Sequence, residues 1–190
     1  MKSWEDYFPY VLPDVYGCPD PLAVQAIRDS AQEFCQKTWV WQDNVSYEIE
    51  EDLREIFVNV PRGASLVSII YLLDNGKEKI VPENLLIKSQ RNPVESEFPA
   101  EESHNYNARV ALKPSKTSEA GPIFLFNDHV EAIASGAKAR LMYDPRKDWG
   151  NPELAMLHHQ LFRKAIGEEK IKIQKGYSKK TSRVKSIRFV

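Results

Sequence analysis

Cysteine is scarce in this chain, with two residues in 190, Cys18 and Cys35. Two thiols cannot form the disulfide framework of a small secreted domain, and their spacing is not that of a metal site. Cys35 lies on the apolar side of a predicted helix, where it is most simply a small buried side chain. The cysteine content therefore favours a protein that folds in a reducing compartment.

Long hydrophobic runs are also missing. The longest run, residues 66–73, is interrupted by Ser68 and is far shorter than the roughly 20 apolar residues of a membrane-spanning helix. The N-terminus has charges and a proline where an export signal has its apolar core. We therefore expect a soluble protein that is made in the cytoplasm and has no membrane partner.

Enzyme motifs are absent as well: there is no glycine-rich phosphate loop, no nucleophile elbow and no Cys–His signature. His158 and His159 are adjacent, so on a helix they point about 100° apart and chelate one ion poorly. The cluster Glu50-Glu51-Asp52 is more simply a solvated strand end than a metal site. We predict no enzymatic activity, no cofactor and no metal; a small metal-dependent enzyme that uses these residues remains the rival hypothesis.

Acidic residues are missing from the C-terminal end of the sequence. Residues 170–190 hold eight basic side chains and no acid, which leaves the rest of the chain with 18 basic and 27 acidic residues. An acidic body argues against a duplex-binding surface, which needs clustered positive charge. The basic end is either a solvated terminus, a docking segment or a nucleic-acid-binding arm.

A first helix is predicted from Asp20, a natural N-cap, with Pro21 at its first position. Residues 12–19 before it are predicted to be extended. The apolar positions recur at helical spacing: Val24, Ala26, Ile27, Ala31, Phe34, Cys35 and Trp39.

An antiparallel β module is predicted in the middle of the chain. Alternating apolar residues indicate strands over residues 45–49, 56–60 and 106–112, and residues 66–73 form a central or doubly covered strand. Asn75-Gly76 predicts a type I′ hairpin turn with a return strand over residues 78–81. Residues 89–107 are predicted to be a mobile loop.

Two more helices follow. The first covers residues 128–143, with a capping box of Asp128 and Glu131, and is followed by Pro145. Its small residues predict a position at the centre of a bundle or at a subunit contact: Ala134, Gly136 and Ala137, together with Leu141. The second is capped by Asn151 with Pro152 at its first position, and ends near Gly176. Its predicted buried stripe is Leu154, Leu157, His158, Leu161, Phe162, Ala165 and Ile166.

Together these elements predict an α+β protein: a helical bundle of three main helices, an inserted antiparallel β module and an extended C-terminal tail. The predicted domains are a helical body over residues 1–44 and 107–176, a β module with its loop over residues 45–106, and a basic docking tail over residues 177–190. The N-terminal aromatic residues Trp4, Tyr7, Phe8 and Tyr10 are either an assembly anchor or an arm folded onto its own core.

Three ordered segments resemble a family of tailed-phage structural proteins, the head-to-tail adaptors (connectors). They are LPDVYGCPDPLAVQAIRDSAQEFCQKTWVW at residues 12–41; RVALKPS at residues 109–115; and FLF, EAIASGAKARL and WGNPEL within residues 124–154. A Gly176-Tyr177 step and a basic end near Arg188-Phe189 are also similar to the family. The resemblance covers about half the chain and fades between residues 42 and 107.

The resemblance implies a virion protein of the tail or neck that forms a ring, usually of twelve subunits, beneath the portal protein at the capsid vertex. The helical part would build the ring wall, packed through Ala134, Gly136, Ala137 and Leu141. The β module would face downstream nozzle or tube proteins or tail fibres, and packaged DNA would pass through the lumen without sequence-specific binding.

The same resemblance implies that the C-terminal tail docks on the portal. Alternating residues suit a strand added to a partner's sheet edge. The predicted docking residues are Tyr177, Lys179, Lys180, Arg183, Val184, Lys185, Ile187, Arg188 and Phe189. The alternative hypothesis from another class is a nucleic-acid-binding module that uses this basic tail.

Overall fold

The computed structural model describes residues 1–50, 55–74, 77–79, 86–90 and 106–175. The helices within these residues are α1 (Phe8–Val11), α2 (Asp20–Thr38), α3 (Ile123–Leu141) and α4 (Pro152–Gln174). The strands are β1 (Lys2–Ser3), β2 (Gln42–Glu50), β3 (Glu55–Asn59), β4 (Ala64–Asp74), β5 (Lys77–Lys79), β6 (Leu86–Gln90), β7 (Tyr106–Pro114) and β8 (Ala120–Gly121). This mixture of helix and sheet confirms the predicted α+β class.

The N-terminal arm, residues 1–14, is largely helical, and its last part overlaps the segment 12–19 that was predicted to be extended. α1 is flanked by two 3-10 turns, Trp4–Tyr7 and Leu12–Asp14, so the prediction for residues 12–14 is wrong. Prolines in this arm stand in the first turn of helical segments, where a missing N–H breaks no bond. Trp4 and Tyr7 are each 1% exposed, so these two side chains fold onto the protein's own core.

α2 begins at Asp20, but Pro19 is its N-cap and no side chain caps it, so the predicted capping role of Asp20 is wrong by one residue. The carbonyl of Pro19 instead accepts hydrogen bonds from the backbone N–H groups of residues 22 and 23. The helix ends at Thr38, and the left-handed backbone (φ 58°) of the next residue, Trp39, takes its side chain off the predicted apolar stripe and leaves it 39% exposed. The buried face of α2 packs against α3 and α4.

Six strands form one sheet in the order β5-β4-β7-β2-β3-β6, and β1 pairs with β8 in a separate two-stranded sheet. β4 lies between β5 and β7, which confirms its central position, but only one of its faces is well buried, through Ile69 and Leu72. Asp74 pairs with Lys77, so the return strand begins one residue before the predicted residue 78. The predicted Asn75-Gly76 turn lies outside the described residues.

The predicted sheet was wholly antiparallel, and this is wrong for one pair: β6 runs parallel to β3, with Glu55 opposite Leu86. Hairpin signals pair only strands that follow each other along the chain, which for β6 would be β5. These two strands instead lie at opposite edges of the sheet. The predicted loop over residues 89–107 begins and ends in strands, and residues 91–105 lie outside the described residues. β7 pairs with both β4 and β2, so residues 107–114, assigned to the helical body, belong to the sheet.

α3 begins at Ile123, five residues before the predicted Asp128, and non-helical backbone at His129 (φ −135°, ψ 16°) divides it. The predicted capping position therefore stands next to an interruption inside the helix, and not at its start. α4 begins as predicted, because the side chain of Asn151 accepts a hydrogen bond from the backbone N–H of Leu154 at 3.2 Å.

Buried apolar side chains form two clusters. One unites the N-terminal arm with α2, α3 and α4, and the other lies on the sheet. Trp41 packs against both clusters, and its carbonyl accepts a hydrogen bond from the backbone N–H of Leu112 at 2.8 Å. The helices and the sheet are therefore joined at Trp41, the last residue before β2. No helix in the described ranges has both the length and the apolar character needed to cross a bilayer.

Candidate functional site

The small residues of α3 that were predicted to pack the ring lie inside one subunit. Ala134, Ala137 and Leu141 are 2%, 0% and 6% exposed. A Cβ atom on Gly136 would lie 2.9 Å from the Cβ of Ser30 in α2 and 3.1 Å from Phe162 in α4. These residues let α3 approach its neighbouring helices, so the alanines and Leu141 are not available to another subunit, and Gly136 alone of the four borders a surface groove.

The predicted docking tail lies outside the described residues, from Tyr177 to Phe189. Its nine docking residues therefore stay a prediction that rests on the sequence and the family resemblance. The last described helix, α4, ends at Gln174, three positions before Tyr177 in the sequence.

α4 exposes three leucines that were predicted to be buried. Leu154, Leu157 and Leu161 are 42%, 49% and 46% exposed, so the predicted stripe is wrong for these residues. Their spacing of three and four residues places them on one side of the helix. The core is instead covered by an adjacent face: Ala155, Phe162, Ile166 and Glu169. We call the three exposed leucines the leucine ridge.

The other side of α4 borders an open apolar groove of about 700 Å³. Its floor is made of small residues, Gly136 and Ala139 of α3 and Ala155 of α4. Its rim carries Tyr143 and Met156, which are 77% and 65% exposed. A helix advances by about 100° per residue, which puts Met156 roughly opposite the ridge around the axis of α4. This apolar groove and the leucine ridge are therefore separate surfaces.

The two sides of α4 also differ in charge. A cleft of about 460 Å³ between α3 and α4, next to Leu161, is lined by the carboxylates of Asp128, Glu131, Glu168 and Glu169. Lys172 also lines it, with its Nζ 3.0 Å from Glu169. We call this the acidic cleft.

The groove side of α4 is basic by comparison. Arg163 and Lys170 are exposed and follow Met156 at steps of seven residues, which keeps them on the same side of the helix. At the groove itself, Arg140 pairs with Glu33. Burial alone would raise the pKa of Glu33, but hydrogen bonds and charges from Lys37 and Arg140 lower it, so this carboxylate stays ionised near neutral pH. The charges of this pair balance, so the excess of positive charge on the groove side comes from Arg163 and Lys170, which lie farther along α4.

His129 stands where α3 is interrupted, at the border of the acidic cleft. Its ring lies 4.9 Å from that of Phe34 and 6.5 Å from that of Phe124, measured between centroids. Burial lowers its pKa, and this outweighs the carboxylates of Glu169 and Asp128, which act in the opposite direction. Burial likewise lowers the pKa of His158. Both imidazoles are therefore neutral in the folded protein at neutral pH.

Because protonation of these partly buried rings is disfavoured only in the folded state, stability is expected to fall as the pH drops below about 6.5, where the unfolded chain takes up protons first. Each histidine contributes a slope of at most about 1.4 kcal/mol per pH unit. His129→Phe is expected to flatten the dependence between pH 7 and 5, measured by urea unfolding. The exposed His159→Gln serves as the control; a His129→Phe variant with the wild-type slope would contradict the assignment.

The residues considered for metal binding are not gathered into a site. Within the part of the chain that the structure describes, no three side chains among His, Cys, Asp and Glu meet where an ion could be held. Residues 51–52 of the predicted acidic cluster lie outside that part. Burial raises the pKa of the Cys35 thiol to about 12, which makes it unreactive near neutral pH.

Comparison with known proteins adds no relative: neither a scan against protein-family models nor a search of curated proteins found a match. The resemblance to phage adaptors therefore stays a prediction from the sequence. The sequence pattern was interpreted as one buried stripe, so the two exposed apolar surfaces of α4 were not predicted. The sequence does indicate them, because apolar residues in this segment occur at too many helical angles to fit one buried face.

Proposed function

We propose that this chain is a virion structural protein, a head-to-tail adaptor. In this proposal, copies of the chain form a ring beneath the portal, join the capsid vertex to the tail and line the channel through which DNA leaves. A helical body of α2, α3 and α4 forms the ring wall, the inserted β module faces the tail components, and residues 177–190 dock on the portal.

The observation that carries this proposal is that α4 exposes apolar side chains on two opposite sides. Met156 stands on one side, where it lines the groove with Tyr143 from the segment after α3, and Leu154, Leu157 and Leu161 stand on the other. A subunit in a ring touches two neighbours through two different surfaces, so it needs two such faces. An ordinary surface helix needs only one apolar face, for its own core.

The location of the family-like segments supports the proposal further. Residues 12–41 provide the end of the N-terminal arm and α2, and residues 124–154 provide most of α3 and the start of α4. Buried residues of both segments belong to one apolar cluster. These two segments therefore fold into one body, whereas the third, residues 109–115, lies largely in β7 of the sheet. The region where the resemblance fades supplies most of the other strands.

The test is assembly with the portal protein from the same genome, imaged by electron microscopy. Full-length protein is expected to add a second ring to the portal, and a chain that ends at Gly176 is expected to lose it. Ile187→Ser with Phe189→Ser keeps every tail charge and should also lose the ring, because strand addition depends on these apolar anchors.

The nucleic-acid hypothesis makes the opposite prediction for the charge-preserving variant. It expects DNA binding that weakens steeply with salt, disappears in the chain ending at Gly176, and persists when only Ile187 and Phe189 are changed. Salt-sensitive DNA binding of this kind, with no ring on the portal at any salt concentration, would contradict the adaptor proposal.

A further inference from the structure

We infer that the leucine ridge of one copy packs into the apolar groove of the next copy, so that α4 makes both halves of the ring contact. This inference rests on the proposed function, which requires contacts between copies of this chain. It assigns Leu154, Leu157 and Leu161 to one half of the contact and Gly136, Ala139, Ala155, Tyr143 and Met156 to the other.

The shapes of the two surfaces are complementary. The ridge runs from Leu154 to Leu161, a distance of about 10 Å along the axis, and its side chains stand out from a regular helix. The groove has a volume of about 700 Å³ and a floor of one glycine and two alanines. Side chains of one helix pack into depressions between the side chains of another in this way, and small floor residues let the helices approach.

The charges beside the two surfaces are complementary as well. The acidic cleft borders the ridge at Leu161, which also lines that cleft. The groove side carries Arg163 and Lys170. When a ridge enters a neighbour's groove, an acidic flank meets a basic one, which favours this pairing over ridge against ridge. A second copy of this chain is therefore the occupant that the observations specify.

The two surfaces also determine the symmetry of the contact. They lie on opposite sides of α4, so one neighbour cannot fill the groove and cover the ridge at the same time. A two-fold dimer uses the same patch on both partners, whereas this contact uses different patches and leaves one of each unfilled. It therefore continues from copy to copy, and the proposed function requires that it close into a ring.

Two variants that each block one surface test the inference. Leu157→Glu places a charge on the ridge, and Met156→Glu places one at the rim of the groove; both positions are exposed, so the subunit should fold normally. Leu22→Glu is the matched control, since Leu22 is an exposed leucine (40%) in the first turn of α2. Leu161→Glu and Tyr143→Ala are second variants for the ridge and the groove.

Association of the full-length proteins is measured by sedimentation velocity over a series of concentrations, and folding by circular dichroism. Wild type and Leu22→Glu are expected to assemble beyond dimers. Leu157→Glu and Met156→Glu are each expected to associate at least tenfold more weakly and to stay monomeric. An equimolar mixture of these two is expected to form dimers and nothing larger. The intact ridge of Met156→Glu can enter the intact groove of Leu157→Glu, and the other two surfaces are blocked.

Three results would overturn the inference: wild-type assembly in both blocked variants, failure of their mixture to form dimers while wild type assembles, or a wild type that stays monomeric alone and with the portal. The adaptor function is scored separately by portal binding. A wild type that assembles as expected but never stacks on the portal would remove the adaptor proposal and keep the contact. Stacked rings formed by the blocked variants would remove the contact between ridge and groove and keep the adaptor proposal.

Discussion

Replacing Trp4 with alanine is expected to destabilise the protein by about 4 kcal/mol, the usual cost of emptying a site filled by a buried tryptophan. The indole is 1% exposed and lies in the cluster shared by the N-terminal arm and the main helices. Its Nε1–H donates a buried hydrogen bond to the carbonyl of Ser118 at 2.8 Å. A Cβ on Gly121 would lie 2.6 Å from the ring, so the indole fits tightly against β8.

This tryptophan holds the arm in two ways that can be separated. Trp4→Ala removes both the packing and the donor, whereas Trp4→Phe keeps most of the packing and leaves the Ser118 carbonyl without its partner, at a cost of about 1–3 kcal/mol. Chemical denaturation followed by tryptophan-independent circular dichroism measures both. Tyr10→Ala is the control, because Tyr10 lies in the same arm but is 43% exposed, and its loss should cost about 1 kcal/mol or less.

The result also decides between the two interpretations of the N-terminal aromatic residues. A large loss of stability in Trp4→Ala means that Trp4 belongs to the core of the isolated subunit. A loss below about 1 kcal/mol, with the arm open to proteolysis in wild type as well, would contradict that placement. The assembly-anchor interpretation would then apply to Trp4.

Elements with local start signals were predictable from the sequence. Asn151 and Pro152 gave the start of α4 to the residue, because a side-chain cap and an N-terminal proline are properties of the chain itself. The strands around Val45 and Val58 followed from alternation, because each buries one face. The strand around Ile69 followed from its continuous apolar run.

Elements without local signals were not predictable. α3 begins after Pro122 with no side-chain cap, so Asp128, a good capping residue by type, suggested a later start. The parallel pairing of β3 and β6 joins strands that are adjacent in the sheet but separated along the chain by β4 and β5, which no hairpin signal encodes.

The candidate site was hidden for a related reason. α4 has apolar residues on more of its circumference than one core face requires, and the sequence does not state which part faces α2 and α3. The packing in the structure determines which face of α4 is buried. Phe162 packs near Gly136, and this turns Leu154, Leu157 and Leu161 outward. The small residues of α3 were predicted to be points of close approach, and Ala134 and Ala137 are buried within their own chain, whereas Gly136 also borders the groove.

The close approach of α3 to its neighbours predicts that the same substitution changes stability very differently at two mid-helix glycines, Gly136 and Gly167. Gly136→Val is expected to destabilise the protein by about 3 kcal/mol, because even a Cβ at this position would lie 2.9 Å from Ser30 and 3.1 Å from Phe162, and α3 would have to move away from both helices. Gly167→Val in α4 meets no atom within 4 Å and should change stability by less than about 0.5 kcal/mol. The free energy of unfolding in urea measures both. Equal effects at the two positions would mean that valine's helix propensity, and not contact between α2, α3 and α4, sets the outcome, since that propensity is the same in both helices.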